Sequence, residues 1–335
     1  FEEVKYPRIS KFEETARGFF WVPEEVSLTK DKMDHKDATD AVKHIFTSNL
    51  LRQTALDSIQ GRAPSQVFGP VCSIPELEAL TLTWGFFETS IHSKSYSHII
   101  RNIYGVPKDE FNKIHDTDEI VSMAANIGRH YENLHQLNCK KELGQAVDLY
   151  SHKKAIWLAL HASYALEALR FMVSFATSLA MVENKIYIGN GNIISLILQD
   201  ELLHTEWTAW LINHVVKEDA DFAQIQATSH HEVYSLYMEV IDEEKSWAEY
   251  LFKKGVVIGL NAEILKDFVD YTAYTKLKDI GIKYLENHPK MSPIPWFNKH
   301  VNINKKQTAL QENESTNYVI GVMSDTVDYE ELPIL

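Results

Sequence analysis

Four stretches of this 335-residue chain place a carboxylate where apolar spacing predicts a buried helix face. Asp57 lies on the stripe of Phe46 and Leu50. Glu88 and His92 share a face with Trp84, Ile91, Ile99 and Ile103. Glu167 falls between Tyr164 and Phe171, with Phe175 beyond. Glu201 and His204 follow Ile197 and precede Trp207. Each acid–imidazole pair, at i,i+4 and at i,i+3, consists of neighbours on a helix. Taken singly, a Glu-x-x-His is commonly surface decoration, and a buried His is commonly a hydrogen-bonded core residue. Taken together they are different. Unpaired buried carboxylates are costly, so they must be protonated, paired or bound to metal. Arg170 could pair one acid, but not four. Asp57, Glu88, Glu167 and Glu201 total minus four, which two divalent cations cancel and one does not. Two neutral imidazoles complete the shell. One carboxylate from each of two helices and a Glu/His pair from each of two others is the dimetal pattern of helical bundles. Oxygen-rich ligation with imidazole suits Fe or Mn better than structural zinc. No HExxH occurs, which argues against a zinc protease.

Tyr96 lies one turn beyond His92 on the same face. In an ordinary helix it is a core tyrosine with a satisfied hydroxyl. Beside an oxygen-activating metal pair, a one-electron donor has a use. Phe171, Phe175 and Ile197 are placed to sheath it in apolar side chains.

The elements that must position these groups are helical. Gly is 13 residues and Pro 10, both below average usage, which favours long uninterrupted elements. Helical periodicity runs over about 37–60, 74–104, 117–138, 146–182, 192–216, 222–253 and 259–285. The first 30 residues read as irregular, anchored by "FFWVPEEVSL". Ser73-Ile74-Pro75-Glu76 has the form of a capping box with Pro in the first turn, and Asn192 after "GNGN" is the expected N-cap of its helix. The apolar run 155–182 is long enough to span a membrane, but His161, Glu167 and Arg170 interrupt it, so it reads as a core helix. From about 297 the chain turns polar and loses its helical stripe. Composition reads that segment as a mobile tail, and its end, "VDYEELPIL", as either a frayed terminus or a docking peptide.

The net charge of -14 repels phosphate backbones, so nucleic acid is not an expected partner. Cys72 and Cys139 form no metal or disulfide motif and fit a reducing, cytoplasmic compartment. The first residues are polar and acidic with no apolar signal core. The chain starts at Phe rather than Met and reads as trimmed.

The stretches "FFWVPEEV", "SNLLRQTALDSIQGRAP", "IHSKSYSHIIRN", "ALEALRFMVSFA", "LQDELLHTEW", "WAEYLFKKGVVIGLN", "SPIPWFN" and "NYVIGV" resemble the small, radical-generating (beta) subunit of class I ribonucleotide reductase. They occur in the family's order over nearly the whole chain. The resemblance implies an all-α, ferritin-like helical domain over residues 1–296 and a flexible tail over 297–335 that docks on a separate large (alpha) subunit. It implies a homodimer, and two Fe ions per chain, with Mn possible, held by Asp57, Glu88, His92, Glu167, Glu201 and His204. Tyr96 is implied as the stable tyrosyl radical and Trp21 as the residue that delivers an electron during oxygen activation. Asp200 would hydrogen-bond His92 and couple it to Trp21. Tyr318, with Glu312, would relay the radical toward the large subunit, which reduces the ribonucleotides.

Two departures stand out. The family has Glu-Thr-Ile-His in the second ligand helix, whereas this chain has Glu88-Thr89-Ser90-Ile91-His92, one residue longer. The extra residue turns one side of the helix by about 100°, and a π-bulge near Thr89 or Ser90 is expected to absorb it. Gln199 stands where Arg is common before Asp-Glu. Two rival readings are a stand-alone dimetal oxidase or hydroxylase, and a ferritin-like iron-binding protein. Neither needs the Trp21, Tyr96 and Tyr318 set.

Overall fold

The computed structural model of the protein describes residues 3–284 and 288–301. Among these the architecture is helical with no β-strand, and Val257 and Leu260 form an isolated bridge. The helices are α1 (Pro7–Gly18), α2 (Thr29–Asp37), α3 (Asp40–Gln60), α4 (Pro75–Phe86), α5 (Ser93–Ile103), α6 (Pro107–Asn112), α7 (Asp118–Glu142), α8 (Leu149–Ala165), α9 (Phe171–Glu183), α10 (Ile188–Glu218), α11 (Ala220–Thr228), α12 (His230–Phe252), α13 (Ala262–Asp279) and α14 (Asn298–Val301). Wide π-turns, Phe87–His92 and Leu166–Arg170, join α4 to α5 and α8 to α9 into two long rods. These rods, α3 and α10 form the centre of the bundle. There α9 packs on α10 and α3, and α3 packs on α5.

The helix starts show how local and distant groups divide the capping. Thr39 accepts from the Val42 N–H at 3.3 Å, and Asn261 accepts from the Ile264 N–H at 2.9 Å, both local caps. The expected capping box at Ser73 does not form. Ile74 is the N-cap of α4, with no side-chain bond to the helix. Glu76 instead accepts the Tyr6 N–H at 2.9 Å, tying the N-terminal segment to α4.

Asn192 is not a cap either. It lies inside α10, which begins four residues earlier behind Tyr187 in the left-handed region. The cap comes from α2: Asp31 accepts the Gly189 and Asn190 N–H groups at 3.0 and 2.7 Å. The glycines that read as breakers allow close packing. A Cβ on Gly191 would lie 2.0 Å from Val182 Cγ2, and one on Gly189 2.4 Å from the Ser27 carbonyl oxygen.

Three further expectations change. The N-terminal region is not irregular, because α1 buries Ile9, Phe12 and Ala16 on one face against α4 and α10. The expected helix 222–253 is two, α11 and α12. Between them Ser229 turns its hydroxyl onto the Ile225 carbonyl at 2.6 Å, a local bond that competes with helix continuation. The helix after it starts at Ala262 rather than 259, since Gly255 and Gly259 have positive φ in the preceding turn.

The apolar rod Leu149–Glu183 is long and apolar enough to cross a membrane, but 94% of its most apolar window is buried within the protein. After the gap, Phe297 is buried and α14 packs on α10.

Candidate metal centre

The four central elements deliver the six acid and imidazole groups to one place. Asp57 comes from α3, Glu88 and His92 from the first π-turn, Glu167 from the second, and Glu201 and His204 from α10. Every one of them is at most 1% exposed. They form two overlapping groups, Asp57–Glu88–His92–Glu201 and Glu88–Glu167–Glu201–His204, with donor atoms within 4.8 Å of one another in each. Glu88 and Glu201 belong to both and stand between the two positions. His92 Nδ1 lies 3.1 Å from Glu201 Oε1, 3.5 Å from Glu88 Oε2 and 3.8 Å from Asp57 Oδ1. His204 Nδ1 lies 2.9 Å from Glu88 Oε1, 3.3 Å from Glu201 Oε2 and 3.8 Å from Glu167 Oε1.

The donor atoms fit a pair of cations. Both oxygens of Asp57 and of Glu201, Oε2 of Glu88 and of Glu167, and Nδ1 of both imidazoles are buried without a hydrogen-bond partner. Buried polar atoms are normally satisfied, so these converging lone pairs fit the donor set of bound cations. Arg170 pairs none of them. It binds Glu244 at 3.0 Å and Glu243 at 2.5 Å, away from the cluster.

Without cations the cluster holds protons. Burial, then the Glu88 charge, pushes Asp57 well above the carboxylate range, and burial, then the Glu201 charge, does the same to Glu167. Burial opposes charge on His204 as well, but Glu201 and Glu88 raise it to about 10. Against the same burial penalty, His204 and His92 hold Glu88 down at about 2.

The extra residue between Glu88 and His92 is absorbed as expected. In the π-turn Phe87–His92 the Ser93 N–H bonds the Glu88 carbonyl five residues back, and the Ser93 hydroxyl bonds it too, at 2.9 Å. The second π-turn, around Glu167, was not expected. There the Phe171 N–H reaches Leu166 O, again five residues back.

Around the cluster the two ends differ. On the His92 side, His92 Nε2 lies 3.1 Å from Asp200 Oδ2, which also accepts the Trp21 indole N–H at 2.8 Å. The Trp21 and His92 rings are 6.4 Å apart and nearly parallel. Tyr96 is fully buried in α5. Burial and the neighbouring Asp57 charge push its phenol well above the ordinary range. Phe171, Phe175 and Ile197 are fully buried, and the two phenylalanines stack at 5.6 Å. On the Glu167 side, Gln60 donates to Glu167 Oε1 at 2.8 Å and to Ser163 at 3.1 Å, and accepts from the Tyr131 hydroxyl at 2.6 Å. The Trp84 indole N–H is shared by Glu88 Oε1 and Glu167 Oε1 at 3.0 and 3.1 Å.

The sequence reading missed Gln60 and Trp84 as supports. The signal was present, since Gln60 follows Asp57 by three residues and Trp84 precedes Glu88 by four. Glu312 and Tyr318 lie outside the described residues.

Comparison with known proteins agrees with this architecture. A family model described as "Ribonucleotide reductase, small chain" matches residues 1–290. The ribonucleoside-diphosphate reductase subunit beta of Buchnera aphidicola subsp. Baizongia pistaciae is 40% identical over 348 residues, covering 98% of this chain and 90% of the relative. The ribonucleotide reductase R2 subunit from Clostridium botulinum superposes with a TM-score of 0.78 at 21% identity, over 90% of each chain. Dimanganese(II)-NrdF from Streptococcus sanguinis gives 0.75 at 20% identity, over 90% of this chain and 98% of its own. At those identities the solved structures speak for the fold alone, an all-helical ferritin-like bundle. Its sequence relatives carry the assignment further, and the chain belongs to the family of small, radical-generating beta subunits of class I ribonucleoside-diphosphate reductase.

Proposed function

We propose that Asp57, Glu88, Glu167, Glu201, His92 and His204 hold two iron or two manganese ions, and that Tyr96 is the residue this centre oxidises. The convergence of the unsatisfied carboxylate oxygens and both Nδ1 atoms supports the ligand set. Four carboxylates match the charge of two divalent ions, and oxygen-rich ligands with imidazole suit iron and manganese. The chemistry supplied when the ions are bound is one-electron oxidation driven by dioxygen.

The chain's own residues prepare that step. Asp200 accepts the Nε2–H of His92, which leaves Nδ1 unprotonated toward the cluster, as an orienting carboxylate does for a metal-bound imidazole. The same Asp200 oxygen holds Trp21, so an electron from the indole enters through the His92 side. Burial disfavours a Tyr96 phenolate. Electron and proton therefore leave together, giving a neutral radical. Enclosure of Tyr96 and of Phe171, Phe175 and Ile197 keeps water from that radical.

The radical then passes to the large subunit, the partner whose active site reduces the nucleotide. Tyr318 and Glu312 would carry it along the tail that follows the helical domain, and the last residues would dock the tail. The working unit is a homodimer of this chain with the large subunit, in the cytoplasm.

Electron paramagnetic resonance after anaerobic Fe(II) loading and exposure to air tests this reading. Wild type should show a tyrosyl signal, and Tyr96→Phe should bind the same iron and lack it. A signal that survives in Tyr96→Phe would remove Tyr96 from its role.

A further inference from the structure

We propose that Trp207, Trp210 and Tyr6 form a second electron route, from the His204 end of the centre to the surface beside the N-terminal segment, that discharges an oxidising equivalent Tyr96 fails to capture. The proposal rests on the metal reading above. Helix α10 carries the route along one face, through Glu201, His204, Trp207, Trp210, His214 and Glu218 at helical neighbour spacings. The Trp207 ring stacks on His204 at 4.5 Å and 29°. Trp210 follows by three residues, and Phe12 bridges the two indoles edge-on at 6.3 and 6.4 Å. Trp210 meets the Tyr6 ring at 6.1 Å and stacks on His214 at 4.3 Å. The Tyr6 hydroxyl donates to the exposed Glu218 carboxylate at 2.7 Å.

Packing alone explains this series poorly. The Trp207 indole N–H is buried and has no hydrogen-bond partner, like those of Trp157 and Trp247, but Trp207 alone of the three stacks on a residue of the cluster. A buried Trp normally finds one, and Phe would fill a dry site without leaving a donor unsatisfied. The indole and phenol rings are the oxidisable ones in the series. Trp207 is fully buried, and Trp210 and Tyr6 are both half-buried, with the Tyr6 hydroxyl on the exposed Glu218. Tyr6 is also held in place, by its backbone N–H on Glu76.

The steps balance. Trp207 would give one electron to the oxidised centre and be refilled from Trp210 and then from Tyr6. Tyr6 loses one electron and its phenolic proton, and Glu218 takes the proton. A small-molecule thiol then gives a hydrogen atom to the Tyr6 radical. The net result is one electron delivered to the centre, one proton left on Glu218 and one thiyl radical, and two such radicals combine as a disulfide.

The test uses the full chain with Tyr96→Phe, which leaves the oxidising equivalent unclaimed. It is loaded with Fe(II), exposed to oxygen and freeze-quenched, with ring-deuterated tryptophan or tyrosine incorporated. Spectra should narrow with label in both residue types, and peptide mass spectrometry should find oxidised Trp207, Trp210 and Tyr6. Adding Trp207→Phe should abolish Tyr6 oxidation while two irons per chain remain bound. Tyr6→Phe, a change near the surface, should move the damage back onto Trp210. Oxidation of Tyr6 that persists in Trp207→Phe, or damage confined to Trp21 and Trp84, overturns the route while leaving the metal reading intact. Wild type that binds fewer than two metal ions per chain and gives no radical overturns the metal reading, and the route with it.

Discussion

Two buried charge clusters share the same helices and resolve their charge in opposite ways. In one, Arg52 on α3 and Arg170 in the second π-turn grip Glu244 of α12. Arg52 makes a two-pronged contact, with Nη1 2.9 Å from Glu244 Oε2, and Arg170 adds a bond at 3.0 Å. Arg170 also takes Glu243, and the Arg52 guanidinium lies over the Trp247 ring at 4.7 Å. Two cations meet two anions, so the charge closes within the chain. In the other, five residues further along α3 and three residues before Arg170, Asp57 and Glu167 join Glu88 and Glu201 with no Arg or Lys among them. A buried ion pair closes on itself because both members come from the chain. The metal centre is the same kind of burial with the counter-charge withheld, which is what makes it a binding site.

The largest way to break that contrast is Glu244→Ala. It strands the buried Arg52 guanidinium, leaves Arg170 with Glu243 alone and should cost about 3–5 kcal/mol in denaturant unfolding, while surviving folded protein still binds two metal ions. A milder break uses His161, buried beside Tyr237 and kept neutral by desolvation, with its pKa lowered to about 3. Its folded pKa lies below the unfolded value, so its contribution is present above about 6.5 and is lost as pH falls toward 3. His161→Gln should therefore flatten the fall in thermal midpoint over that acid window.

Glu167→Gln should reverse the usual sign. In metal-free protein at neutral pH it removes the proton uptake that burial forces on Glu167 when the chain folds, and should stabilise the fold by about 1–3 kcal/mol, while metal stoichiometry drops. Calorimetry should sharpen the same point. Loading the metals should release protons, because Asp57 and Glu167 hold them above the ordinary range and ligands must deprotonate. The smallest expected effect is Thr39→Ala. It uncaps α3, which carries both Arg52 and Asp57, and should cost about 1 kcal/mol equally with and without metal.

The centre was legible because its logic is local. Each ligand sits at helical spacing from apolar neighbours, and acid on such a face is conspicuous by charge alone. Asp200 and Trp21 were reached only through family resemblance, since their bond spans 179 positions of chain. The same distance hid Glu244 as the partner of Arg52 and Arg170. It also hid Asp31 as the cap of α10, and spacing pointed to Asn192 instead. Gln60 and Trp84 had the right spacing but lacked the charge that made the acids stand out. The amphipathic face of α1 was present in Ile9, Phe12 and Ala16 but short enough to pass for loop.

The π-turn at Phe87–His92 bears on how such a site can change over generations. A one-residue insertion in a helix ordinarily turns everything beyond it to a new face, and every contact downstream must be rebuilt. Here the wide turn stores the insertion between two ligands, so Trp84 before it and Tyr96 after it both still face inward. A lineage can therefore vary the length of its ligand motif by a single codon triplet and keep the rest of the rod, which makes the metal-binding segment a place where sequence length is free to drift while geometry stays put.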